Sequence, residues 1–111
     1  MLKPNPTDLP ETLGEMRMLL RFIEGRLHDV ANIKPRSIAE SSDLARQTDG
    51  LLNLQERVGW KATQSRARSL SEVRCKLEIW EMVAADMDGA GGELGTALVN
   101  SVKRDLDLFS R

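Results

Sequence analysis

The chain contains few aromatic residues, one cysteine and one histidine. Its 111 residues include two Trp, two Phe and no Tyr. Leu, Met, Val, Ile and Ala must therefore form most of the core, a mixture that favours helix-on-helix packing over a sheet. The single Cys75 excludes an internal disulfide and a cysteine-based metal site. The single His28 excludes a di-iron bundle site, which needs two Glu-x-x-His pairs. We expect no metal and no cofactor.

The sequence also lacks an excess of charge of either sign and a long hydrophobic run. Sixteen basic and seventeen acidic residues give a net charge of −1, which directs the chain to neither nucleic acid nor membrane. No stretch is apolar enough to span a membrane, and the N-terminal MLKPNP lacks the apolar run of a signal peptide. We expect one cytoplasmic domain covering residues 1–111.

The clearest helix is predicted over about 69–88. Ser69 and Glu72 have the spacing of a capping box, and Gly89 can close the helix. Cys75 and Lys76 are predicted on the outer face. The predicted buried face has apolar residues three and four apart, namely Leu70, Val73, Leu77, Trp80, Ala84 and Met87.

Three further helices are predicted around it, at about 9–32, 38–60 and 93–110, after an extended lead-in at 1–7. Asp8 with Glu11, and Ser37 with Glu40, mark two of the starts. The first helix has a predicted buried face of apolar residues three and four apart, namely Leu13, Met16, Leu20, Ile23, Leu27 and Val30. The second helix could break at Asp49-Gly50, a turn signal, and Lys61–Arg68 is predicted to be mostly loop. Gly14 and Gly25 are either weak spots in the first helix or points of close backbone approach. These segments predict an all-α, up-and-down four-helix bundle.

The C-terminal half of the third helix is apolar on more than one side, as expected for a helix that docks on another chain. Opposite charge blocks flank its middle, +5 over Arg57–Lys76 and −5 over Leu77–Ala97. We therefore predict a non-enzymatic interaction module, most simply a homodimer. Its predicted interface consists of Ile79, Trp80, Met82, Val83 and Met87.

The basic block also allows a nucleic-acid-binding regulator that contacts phosphates. Its candidate residues are Arg66, Arg68, Arg74 and Lys76. The near-neutral total charge and the absence of interleaved aromatics argue against this alternative.

His28 suggests a different activity. The stretch Leu27-His28-Asp29-Val30-Ala31-Asn32 resembles the phospho-accepting motif of histidine kinases and histidine phosphotransfer proteins. That resemblance implies His28 as phospho-acceptor, with Asp29 orienting the imidazole or taking its proton. It requires an exposed imidazole. The sequence departs from the motif at Ala31, where a basic residue is usual, and at Ile33, where proline is usual.

Two other stretches are similar to small uncharacterised helical proteins of proteobacteria and their prophages. The first stretch, Ala67–Trp80, contains A-R-S-L followed by Val73, Lys76-Leu77 and Trp80. The second stretch, Ala97–Leu106, has the sequence ALVNSVKRDL. This resemblance implies a small helical cytoplasmic protein and no particular activity.

Overall fold

The structure is a computed structural model that describes residues 9–84 and 92–109. Within these residues four helices form: α1 (Leu13–Ala31), α2 (Ile38–Gln64), α3 (Leu70–Ala84) and α4 (Gly92–Phe109). The predicted all-α four-helix bundle is confirmed. The lead-in at 1–7, Asp8, Met87, Gly89 and Ser110 lie outside the described residues.

Short side chains cap the starts of the first three helices. The Ser37 hydroxyl accepts from the Glu40 N–H at 3.1 Å and the Ser69 hydroxyl from the Glu72 N–H at 3.2 Å, so both predicted caps are confirmed. The predicted start of α1 was wrong. Thr12 caps this helix by accepting from the Glu15 N–H at 3.1 Å, and α1 begins at Leu13 instead of Leu9 because Thr12 satisfies an amide of the first turn there.

Polar contacts between helices fix their directions. Lys61 near the end of α2 donates to the Leu9 carbonyl before α1, so these helices run antiparallel. Lys76 in the first half of α3 contacts Asp105 in the second half of α4, so this pair is also antiparallel. Because α2 returns into α3 through the short connection at 65–69, the chain runs up and down through the bundle.

All four helices contribute residues to one core. Within the described residues α1 and α4 each pack on α2 and α3 but do not contact each other. The predicted stripe of α1 is confirmed, with Leu27 half-buried and five residues at most 5% exposed: Leu13, Met16, Leu20, Ile23 and Val30. From α4, Leu94, Leu98 and Val102 are buried.

Helix α2 is longer than the sequence indicated. It continues through Gly50 without a break and ends at Gln64, inside the stretch predicted as loop. A glycine within a helix costs about 1 kcal/mol relative to alanine, and packing of Val58 and Ala62, both fully buried, offsets such a cost. The first half of α2 is largely exposed, with Ile38 at 91%.

The predicted orientation of α3 was wrong by one residue, a rotation of roughly 100°. Leu70 and Leu77, predicted to be buried, are 68% and 44% exposed. Cys75 and Lys76, predicted to be outside, are 7% and 0% exposed. The observed inner face consists of Val73, Cys75, Lys76, Ile79 and Val83.

Candidate functional site

A buried polar cluster explains the orientation of α3. Lys76 Nζ donates to Ser101 Oγ and to Asp105 Oδ2, both at 2.5 Å. Asp105 Oδ2 also accepts from the Ala67 N–H at 3.3 Å. Buried charges are tolerated when they are paired and hydrogen-bonded, so Asp105 allows the inner face of α3 to contain a lysine.

Burial lowers the pKa of Lys76, and the neighbouring Asp105 opposes that shift. A lysine beside a serine can form a nucleophilic pair, in which the amine removes the hydroxyl proton. Here Lys76 is fully buried and Ser101 is 4% exposed. A substrate therefore cannot reach Ser101 Oγ, and the cluster holds α3 against α4 instead of forming an active site.

Sequence reasoning missed this cluster, although α4 contained a signal for it. Ser101 and Asp105 follow Leu94 by seven and eleven residues, so they lie on the apolar face of α4. A carboxylate on such a face needs a cationic partner. Lys76 meets that requirement once α3 is turned so that Ile79 and Val83 face inward.

The same rotation gives α3 an unusual outer face. Four residues at spacings of four, three and four form one stripe, which we call the α3 outer stripe: Leu70, Arg74, Leu77 and Glu81. All four are exposed. None of them forms an ion pair or side-chain hydrogen bond within the described part of the chain. The stripe therefore alternates exposed leucines with charged residues that form no ion pair within the described part of the chain.

The residues predicted as an interface lie elsewhere. Ile79 and Val83 are 0% and 2% exposed within the core of their own chain, which contradicts their assignment to an interface. Trp80 and Met82 are half-buried and pack against that core, and Met87 lies outside the described residues. Helix α3 does have apolar residues on more than one side, but the exposed ones are Leu70 and Leu77.

The candidate phosphate-binding residues do not form one set. Lys76 is fully buried and paired with Asp105, so its assignment to an anion site was wrong. Arg66, Arg68 and Arg74 remain exposed. Arg74 lies between the two leucines of the α3 outer stripe, in surroundings that suit a protein contact better than a phosphate chain.

A salt bridge joins α1 and α3 beside this stripe. Arg17 Nη1 donates to Glu78 Oε2 at 2.7 Å, and Arg21 Nη2 lies 4.0 Å from the same oxygen. The hydrogen bond from Arg17 lowers the pKa of Glu78, and Glu78 in turn raises that of Arg17. The pair fixes α1 alongside α3. The outward surface of α1 adds Met18 and Phe22, which are 68% and 63% exposed.

His28 is exposed near the end of α1, as the resemblance requires. Its hydrogen bond comes from Asn32 Nδ2, which lies 3.2 Å from His28 Nε2 and also donates to the His28 carbonyl at 3.1 Å. Since an amide nitrogen only donates, Nε2 accepts, and the neutral ring carries its proton on Nδ1. Asn32, and not Asp29, therefore positions the imidazole.

An open concavity of about 650 Å³ lies beside His28. Its described lining includes Arg21, Glu24 and Gly25 from the same helix. Arg21 is the cationic group of this lining, and a guanidinium is suited to phosphoryl oxygens. The described residues contain no group of three or more side chains that could bind a metal ion.

None of the described helices is both long and apolar enough to cross a bilayer. Comparison of the chain with protein-family models, with curated proteins and with solved structures finds no match.

Proposed function

We propose that this protein is a non-enzymatic helical interaction module that associates with a second copy of itself. The observation that carries the proposal is the exposure of Leu70 and Leu77, seven residues apart on one helix, at 68% and 44%. Leucines at that interval lie one heptad apart on the same face of a helix, and apolar residues that recur at this interval pair helices. The inner face of α3 is already filled by the core of its own chain.

The location of other exposed apolar side chains supports the proposal. Met18 and Phe22 lie four residues apart on α1, which packs beside α3. Exposed apolar side chains that occur in pairs on one helix are more typical of interaction sites than scattered single residues. A low cysteine content is typical of proteins of the reducing cytoplasm. The chain contains one cysteine, and this supports the further proposal that the protein works there.

Analytical ultracentrifugation over a wide concentration range tests self-association. We expect the mass to rise from 12.4 kDa toward twice that value as concentration increases. We also expect Leu70→Ser/Leu77→Ser to abolish the rise. Ile38→Ser is the matched control, because Ile38 is 91% exposed and far from α3 in sequence. A wild-type protein that remains monomeric at the highest concentration would refute self-association.

A second candidate function is phosphotransfer at His28, and the arrangement around the imidazole favours it. His28 is exposed and shares a concavity with Arg21. In the Nδ1–H tautomer the Nε2 lone pair is the nucleophile. Because the Asn32 amide donates to that nitrogen, attack on phosphorus requires this hydrogen bond to open.

Incubation with acetyl phosphate, followed by mass spectrometry, tests this function. The Nε2 lone pair would attack phosphorus, acetate would leave with the electrons of the broken P–O bond, and the Nδ1 proton would be lost to solvent. We expect an acid-labile phosphoryl adduct on the wild-type protein. The adduct should be absent from His28→Gln and should form faster on Asn32→Ala. Absence of an adduct, or its persistence in His28→Gln, would refute phosphotransfer.

A further inference from the structure

The charges of the α3 outer stripe have a symmetry of their own. Arg74 and Glu81 are placed evenly about a midpoint between residues 77 and 78. Reversing the direction of the helix about that midpoint therefore exchanges Arg74 with Glu81 and leaves Leu77 close to its own position. The stripe spans twelve residues, about 16 Å of helix, and all four of its members are exposed.

Two copies can place this stripe against itself in two directions. In a parallel pair Arg74 would face Arg74 and Glu81 would face Glu81, which places like charges together. In an antiparallel pair centred on the midpoint, Arg74 of one chain lies opposite Glu81 of the other, and Leu77 of one chain lies within about 1.5 Å along the axis of Leu77 of the other. The antiparallel arrangement therefore pairs opposite charges and keeps the central leucines together.

We propose that two copies of this chain pair through their α3 helices, antiparallel and related by a two-fold axis near residues 77 and 78. The inference rests on the proposed self-association and identifies its surface and geometry. An isologous contact of this kind uses the same patch on both partners. Arg74 and Glu81 supply that self-complementarity, since neither has an ion-pair partner in the described part of its own chain.

The surfaces beside the stripe are compatible with this pairing. Glu78 is the nearest acidic residue toward α1, and it is held by Arg17 at 2.7 Å. Arg74 lies close enough to Glu78 to help lower its pKa, but no ion pair joins the two side chains, so Arg74 can contact Glu81 of a second copy. The described part of α3 is 15 residues long, so the contact is small, and small interfaces are at the weak, concentration-dependent end of protein association.

Charge reversal with two separate variants tests the geometry. Arg74→Glu makes residues 74 and 81 both acidic, and Glu81→Arg makes both basic, so each variant alone places like charges across the interface. We expect each to raise the dimer Kd by about tenfold or more. When they are mixed in equal amounts, both cross-chain contacts become acid–base pairs, and we expect a heterodimer at least as tight as the wild-type homodimer.

The readout is sedimentation equilibrium with one variant labelled, at low ionic strength. Circular dichroism confirms that each variant folds, and folding is expected because positions 74 and 81 are exposed. Arg46→Glu on the exposed part of α2 is the matched control and should dimerise like the wild type. Mixing it with Glu81→Arg should not restore association.

The outcomes separate the two proposals. A wild-type protein that remains monomeric removes both self-association and this geometry. A wild-type dimer that Arg74→Glu and Glu81→Arg leave unchanged overturns the geometry alone, and assigns the contact to another surface such as Met18 and Phe22. Weakening by both variants without recovery on mixing overturns the antiparallel register.

Discussion

Lys76 Nζ lies 2.5 Å from Asp105 Oδ2, and both side chains have 0% of their surface exposed. The contact connects α3 to α4 through two charges shielded from water. One carboxylate oxygen, Asp105 Oδ1, has no hydrogen-bond partner among the described residues. Pairing therefore opposes desolvation at this position, and the net effect on stability can be measured by removing one partner or both.

Lys76→Met should destabilise the protein strongly, by about 3–5 kcal/mol, because it leaves Asp105 buried without a cation. Lys76→Met/Asp105→Leu should recover most of that loss, since a buried ion pair replaced by apolar groups is often neutral in stability. Urea unfolding followed by circular dichroism measures both variants. Lys103→Met is the control, because Lys103 is exposed.

If Lys76→Met proves too unstable to fold, the double variant still provides the comparison. The cluster would be refuted as described if Lys76→Met were as stable as Lys103→Met. It would also be refuted if the double variant were no more stable than the single one.

Alkaline pH should reveal the lowered pKa of Lys76. Burial depresses the pKa of Lys76 in the folded protein below its ordinary value of 10.5. At any pH between the folded-state pKa and 10.5, the unfolded chain therefore binds more protons than the folded one. The free energy of unfolding therefore rises with pH across that window. Compared with Lys76→Met/Asp105→Leu, the wild type should gain stability as pH increases toward 10.5. A constant difference between the two proteins would contradict the shift.

Acidic pH should lower the free energy of unfolding through Glu78. The hydrogen bond from Arg17 lowers the pKa of this carboxylate, so the unfolded chain takes up its proton first as pH falls. The stabilisation is complete above the unfolded pKa and is lost as pH falls through the folded pKa. We expect Glu78→Gln to remove this part of the acid sensitivity. Glu56→Gln, which changes an exposed carboxylate of α2 that forms no ion pair within the described residues, should leave it unchanged; equal acid profiles for all three proteins would contradict the prediction.

The helices and their caps could be predicted from local sequence because their causes are local. Ser37 and Ser69 precede a glutamate by three residues, and the structure confirms both caps. The apolar residues of α1 recur on one face without a competing pattern, so its buried stripe was also predicted.

The orientation of α3 could not be predicted from its own sequence. Trp80 and Ala84 complete one apolar stripe, while Ile79 and Val83 complete another one residue away. The choice between them depends on Asp105, which is 29 residues from Lys76 along the chain. This is why the predicted interface included the buried Ile79 and Val83, and why the exposed Leu70 and Leu77 were assigned to the core.

Local signals also failed where tertiary contacts outweighed them. Asp49-Gly50 has the composition of a turn, yet α2 passes through it. Lys61 belongs to a polar stretch predicted as loop, but it bonds to the Leu9 carbonyl and to Glu11. Those contacts lie about fifty residues away in sequence, beyond any local pattern.

Two glycines of α2 should respond oppositely to substitution by alanine. At Gly50 an added Cβ would meet no atom within 4 Å, so Gly50→Ala should stabilise the protein by about 1 kcal/mol through helix propensity. At Gly59 the added Cβ would lie 2.8 Å from Leu94 Cδ2. Crowding in a packed core costs about 1–3 kcal/mol, which should cancel or exceed the gain.

Thermal unfolding of the two variants distinguishes helix propensity from packing. We expect Gly50→Ala to unfold above the wild-type midpoint and Gly59→Ala at or below it. Gly25→Ala is a further control, since Gly25 also has open space around its Cα and should behave like Gly50→Ala. Replacing Leu94 with Ala in the Gly59→Ala background removes the clashing methyl groups, so Gly59→Ala should cost less there than in the wild type. If Gly59→Ala stabilised the protein as much as Gly50→Ala, α2 and α4 could not pack as closely at Leu94 as the structure shows.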